Sequence, residues 1–197
     1  MTIKKTVLMS LLAVAALAAT AWANTYNIDV SHSSVGFKVK HMMVSNVRGA
    51  FTEFEGTFTF DEDSPQAASV EAVIQVASVN TNDEKRDEHL RSPDFFNAAE
   101  NPTMTFESTK LESKGGGEFL LHGNLTLNGV TKPVTLEAEF AGLVNDPWGN
   151  TRVGFEAEGE IDRKDFGIVW SKTMDGGGLV VGDKVEIELE IEGIAQQ

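Results

Sequence analysis

The chain has 197 residues, no cysteine, and a formal net charge of −14 from 30 acids against 16 Lys and Arg. Disulfide and thiolate chemistry are closed to it, and so acidic a surface repels nucleic-acid phosphates and anionic headgroups. Nucleic-acid binding and purely electrostatic membrane docking are thereby disfavoured, and solubility is the plain role of the acid excess.

The chain opens on a leader. Lys4 and Lys5 precede an apolar run from Val7 to Ala19, and Ala21-Trp22-Ala23 supplies a small-x-small cleavage site before Asn24. The run falls short of the roughly 20 residues that span a bilayer. Residues 1–23 are therefore expected to be a signal peptide cleaved after Ala23, with an N-terminal anchor helix as the competing reading. The mature part, 24–197, is expected to be one soluble periplasmic domain without stable membrane insertion.

Alternation of period two then dominates, as expected of strands with one buried face. In chain order it runs through Val35, Phe37 and Val39; Phe54, Phe58 and Phe60; and Val70, Ile74 and Val76. After Met104 and Phe106 it continues through Phe119, Leu121, Leu125 and Leu127, through Val134, Leu136 and Phe140, and through Val153, Phe155 and Ile161. The last strand is the clearest, with Val185, Ile187, Leu189 and Ile191 interleaved with Glu186, Glu188, Glu190 and Glu192. Asn128-Gly129 between two such runs predicts a tight hairpin, because a type I′ turn needs two residues tolerant of positive φ. Gly115-Gly116-Gly117 and Asn145-Asp146-Pro147 mark two further turns. About eight short strands call for an all-β closed barrel or a sandwich.

One segment departs from this pattern. Asn82 to Arg91 lacks the period of two and is rich in helix formers, with acids at its front, Asn82 as the expected cap, and Ser92-Pro93 as its end. Asp94-Phe95-Phe96 then places two aromatics directly after the helix. They read equally as a lid over one barrel mouth or as a plug in the core.

An eight-stranded barrel is just wide enough to be filled by side chains or to hold one small ligand. Small residues interrupt the inward faces: Gly56, Ala72, Gly123, Ala138, Ala157 and Gly159 lie between larger apolar neighbours. The pattern favours a cavity over a packed core, although a tapering core alternates sizes too. Signals for chemistry are few. His32, His41, His89 and His122 are scattered, and no nucleophile elbow, phosphate loop or dinucleotide fingerprint is present. Asp162-Arg163-Lys164-Asp165 reads as an ion-paired turn. No metal, cofactor or catalytic residue is expected.

Several blocks carry a resemblance. Asp29-Val30-Ser31-His32-Ser33-Ser34 through Met43, Val47 to Phe51, Asn80 to Ser92 with Asp94-Phe95-Phe96 and Asn101-Pro102, Gly123 to Val134, and Ile161 to Ile168 are similar to the YceI-like, polyisoprenoid-binding periplasmic family. The resemblance implies a lipocalin-like antiparallel β-barrel with a short helix capping one end and an interior channel. It implies a binding protein for an isoprenoid lipid, a quinone or a similar long-chain amphiphile, serving carriage, storage or sequestration and sometimes stress response. An enzyme acting on such a lipid and a packed interaction module are the alternatives, and a homodimer is left open.

Strand parity and the lid nominate the lining. From the first half it comprises Phe37, Val39, Met43, Phe54, Phe58, Phe60, Val70, Ile74, Val76, Leu90, Phe95 and Phe96. From the second half it comprises Met104, Phe106, Leu121, Leu125, Leu136, Phe140, Phe155, Phe166, Ile168 and Trp170.

Overall fold

The computed structural model describes residues 24–175 and 177–196; the expected leader lies outside the described residues. Among them are eleven strands: β1 Asn24–Ile28, β2 Ser34–His41, β3 Ser45–Phe51, β4 Phe54–Phe60, β5 Ser69–Gln75, β6 Val79–Asn80, β7 Thr103–Gly115, β8 Glu118–Leu127, β9 Val130–Asn145, β10 Thr151–Asp162 and β11 Val181–Ala195. Every pairing is antiparallel. The order β1-β4-β5-β7-β8-β9-β10-β11 returns to β1, which closes an eight-stranded barrel. A closed sheet leaves no strand edge, so the acidic outer face and apolar inner face are each continuous around it.

β11 serves two partners along its length. Gly193 to Ala195 pair with β1, and Val181 to Glu190 pair with β2. Between them β1 and β2 are interrupted at residues 29–33. Asp29 caps a 3-10 turn over Val30–His32, its carboxylate accepting from Ser31 N–H at 3.1 Å. The ladder is bridged across the gap, because Asp29 N–H donates to the Glu192 carbonyl and Glu192 N–H donates to Ser33 Oγ. This is the local reason for the Asp-x-x-x-Ser spacing near the start of the domain.

The two barrel ends close differently. At one end β1 pairs directly with β4, Asn24 opposite Phe60. At the other end β2 and β3 leave the barrel as a hairpin, and β3 is met only by the two-residue β6. The α-helix α1, Glu84–Arg91, lies against β6 at that split. Its N-cap is Asp83, not Asn82 as expected: the Asp83 carboxylate accepts from Arg86 N–H at 3.0 Å. Asn82 instead adopts φ +61 and turns the chain between β6 and the helix, whereas a cap needs an extended φ like the −148 of Asp83.

Two hairpin tips use the same left-handed backbone with very different residues. Asn128 and Gly129 have φ of +50 and +72, the type I′ geometry expected of that dipeptide. Met42 and Met43, between β2 and β3, have φ of +48 and +62. A residue with a Cβ forfeits about 1–2 kcal/mol in that conformation, so the methionine turn is strained where the Asn-Gly turn is not.

Candidate functional site

The interior holds an apolar cavity of about 260 Å³. An engineered protein cavity of roughly 150 Å³ with similar lining stays dry and accepts a small hydrocarbon, so this space favours apolar ligands over water. Its walls come from every barrel strand and from the helix. Phe37, Val39, Phe54, Phe58, Phe60, Val70 and Ile74 face it from β2, β4 and β5. Leu90, Phe95 and Phe96 close it at the split, and Met104, Phe106, Leu121, Leu125, Leu136, Phe155 and Ile168 complete the residues that parity and the lid reading placed there.

Five expected lining residues lie elsewhere. Met43 is 60 % exposed at the hairpin tip. Val76 sits past the end of β5 in a 3-10 turn, which rotates it off the barrel face into a fully buried pocket beside β7. Phe140 keeps the inward parity of Leu136 and Ala138 but lies past the end of the cavity, its ring packed on Phe60 and Phe155 at 5.4 and 5.6 Å. Phe166 is buried in the 3-10 turn Arg163–Phe166, and Trp170 covers Phe95 and His89 from the outer side at 5.2 and 5.0 Å. At Met43, Val76, Phe166 and Trp170 a turn or a second layer breaks the parity that holds within a strand.

Lining residues outside the expected set include Ile28, Phe51, Leu111, Phe119 and Val181, as well as the apolar face of β11. Phe51 stands out in the sequence only within a family block, whereas Phe119 and the β11 face already belong to its alternation; the same parity, extended, reaches all of them.

The inward glycines are not gaps. A Cβ at Gly56 would lie 2.5 Å from the Glu71 carbonyl and 2.8 Å from the Ile28 side chain. At Gly159 it would meet Leu136 at 2.5 Å, at Gly49 it would meet Phe37 at 2.5 Å, and the Phe106 ring lies directly over Gly123. Glycine here lets a large cross-strand side chain lie flat on the sheet, so the space is already filled. Ala72, Ala138 and Ala157 do line the cavity, and they, not the glycines, set its width.

Arg163 is the charged residue in the wall, only 3 % exposed. Its Nε donates to the Gly182 carbonyl at 2.8 Å, and Nη1 to the carbonyls of Ile168 and Trp170 at 2.7 and 2.8 Å. Nη2 donates to Asp183 Oδ1 at 3.0 Å and reaches the Val181 carbonyl at 3.5 Å. All five guanidinium N–H groups are committed, so Arg163 ties Ile168 and Trp170 to Val181, Gly182 and Asp183 and has no donor left for a ligand. The expected internal ion-paired turn is therefore corrected: Arg163 and Lys164 both pair with Asp183 from β11, and Asp162 caps the turn by accepting from Lys164 N–H.

The lid is held by a second polar group. Buried Asp87 accepts from Thr81 N–H at 2.9 Å and Thr81 Oγ–H at 2.5 Å. Arg86 donates to Thr81 Oγ1 and to the Thr81 carbonyl, while Arg91 donates to the carbonyls of Ala77 and Val79. These bonds replace the strand ladder that the split lacks. Outside the barrel, Arg152 joins Asp29, Asp146 and Glu192. Its guanidinium holds the Asp146 carboxyl well below the ordinary range, and the Ser31 hydroxyl chiefly does the same for Asp29. His32, at 2.9 Å from Asp29, completes an Asp29–His32–Glu192 cluster whose two carboxylates are already bridged by Arg152.

Among the described residues lining the cavity none is a carboxylate or a histidine. No helix among them is long and apolar enough to cross a membrane. The wall can therefore sort ligands by shape and length, with no group placed to accept or deliver a proton.

Residues 26–193 match the YceI-like domain. Protein YceI of Salmonella newport is 48 % identical over 180 residues, covering 90 % of this chain and 91 % of that protein. Among solved structures, BcnA of Burkholderia cenocepacia superposes with a TM-score of 0.75 at 25 % identity over 84 % of this chain and 98 % of that one. A polyisoprenoid-binding domain from Saccharophagus degradans shares the fold, with a TM-score of 0.65 at 17 % identity over 87 % of this chain and 98 % of its own.

Proposed function

The chain belongs to the YceI-like family, and from that membership and the apolar interior we propose that it is a periplasmic carrier or store for a long-chain isoprenoid lipid or quinone. The observation that carries the reading is the cavity of about 260 Å³, walled by aromatic and aliphatic side chains and by one arginine whose donors are all committed. The relative described as polyisoprenoid-binding has the same fold, which supports the ligand class.

The energetics suit such a tail. Each buried methylene-sized group contributes about 0.8 kcal/mol, so a few isoprene units give tight binding without a polar anchor. Strands of about ten residues tilted by about 40° make a barrel roughly 25 Å tall, so a longer tail must fold back or protrude at the mouth. A carrier is favoured over a lipid-modifying enzyme because the wall offers no acid or base to the chain it would hold.

Native mass spectrometry of the protein taken from its own periplasm tests this. A stoichiometric amphiphile released on gentle activation is the expected result; repeated preparations without one overturn the reading. Ala138→Phe should lower occupancy while the circular dichroism spectrum stays native, because Ala138 lines the open space. Gly56→Leu, by contrast, should unsettle the fold itself, since the Glu71 carbonyl already occupies its place.

A further inference from the structure

The β2–β3 hairpin tip projects beyond the barrel rim. The last rung of β2 on β11 is His41 opposite Val181, and Met42 N–H then donates to the Val180 carbonyl at 2.9 Å. Past that point Met42, Met43 and Val44 are 42, 60 and 84 % exposed, and Val169 on the neighbouring segment is 65 % exposed. Val39 and Val181, just inside the tip, line the cavity, so this apolar promontory stands at the lidded mouth.

The backbone gives a second, independent observation. Met42 and Met43 hold a left-handed turn that Asn-Gly performs without strain at residues 128–129 of the same chain. Two methionines are thus placed where both the backbone conformation and exposure to water disfavour them, which points to a contact outside the fold. Methionine suits a soft, unspecific apolar contact.

Chemistry and size narrow the occupant. Lys40 directly precedes the tip, and exposed Lys172 lies one rung away, its carbonyl accepting from Val180 N–H at 2.9 Å. Exposed Glu84, Glu88, Asp94 and Asp165 belong to the same end, so the apolar tip and not net charge must carry the contact. A few side chains fall well short of the roughly 1,200 Å² that a stable protein interface buries, whereas a bilayer needs no matching surface.

We propose that the Met42-Met43-Val44 tip, flanked by Lys40 and Lys172, docks the lidded mouth of the barrel on the surface of a phospholipid bilayer. The docking rests on exposure, strain and position; only its purpose, exchange of an apolar cargo, rests on the cavity reading.

Flotation of the purified protein with vesicles of phosphatidylethanolamine and phosphatidylglycerol tests the contact. Met42→Asn with Met43→Gly keeps the turn geometry and relieves its strain, so the melting temperature should hold or rise. Vesicle partitioning should fall about tenfold or more, from the loss of two buried apolar side chains. Absent flotation of the wild type, or unchanged flotation of the variant, overturns the proposal. Binding that vanishes at high salt and ignores the methionine pair would reduce it to lysine-driven adsorption, and a vesicle-free dimer broken by the same variant would reassign the tip to a second copy. Ala138→Phe separates the two readings: it should empty the cavity yet float like wild type.

Discussion

At the β1–β4 end the interior is sealed by rings. Phe60 lies 4.9 Å from Phe155, 5.4 Å from Phe140 and 6.3 Å from Phe119, and Tyr26 stacks on Phe58 at 5.2 Å. At the α1 end the seal is a short helix and a crossing segment tied down by Asp87, Arg86, Arg91 and Arg163, with Phe95 and Phe96 beneath them. The first end is continuous with the strand ladder and opens only if the sheet opens. The second adds few ladder bonds of its own, so it can open while the barrel stays closed. Low local stability belongs where a ligand must pass, so under the proposed carrier function the difference makes α1 the working end.

The largest break in this comparison should come from the sealed end. Phe60→Ala, at a site 3 % exposed, should lower unfolding stability by about 3–5 kcal/mol in chemical denaturation. Lid protection in hydrogen exchange should stay close to wild type. Asp87→Ala should cost less, about 1–3 kcal/mol, because it leaves the buried Thr81 N–H unpaired. Its signature is local: exchange across residues 81–91 and ligand release should both accelerate, while β8 to β10 stay protected. Asp83→Ala removes the helix cap and should cost about 1 kcal/mol, again confined to the lid.

The smallest effect at neutral pH belongs to the Arg152 cluster beside the sealed end. Asp146 and Asp29 have folded pKa values below their unfolded ones. Their contribution is therefore complete above the unfolded value near 4 and fades as the pH falls below it toward the folded values. Arg152→Met removes the main cause of the shift at Asp146, so stability should decline less steeply below about pH 4 in acid titrations followed by circular dichroism. A slope equal to wild type would show that the cluster adds nothing to the end it flanks.

Within strands the sequence is a reliable guide. The alternation through Phe54, Phe58 and Phe60 or Leu121 and Leu125 places those side chains on the inner face, because a pleated strand has a period of two and one wet face. Asn128-Gly129 specifies its turn through its own φ preferences, and the helix is legible because acids, a cap and a serine stop fall in order. Parity fails where the chain leaves the strand: Val76, Phe166 and Trp170 sit in turns or in an outer layer.

By itself, then, the sequence determined an all-β barrel or sandwich with an apolar inside, an acidic outside and one helical interruption, since these follow from periodicity and local propensity. Only the tertiary structure decided that the glycines are filled by Ile28, Phe37, Phe106 and Leu136, that Arg163 commits every donor to the mouth segment, and that the barrel is split beneath α1. These depend on register and on contacts across long stretches of chain. A one-residue shift in pairing would leave the composition of each strand unchanged and remove every one of them.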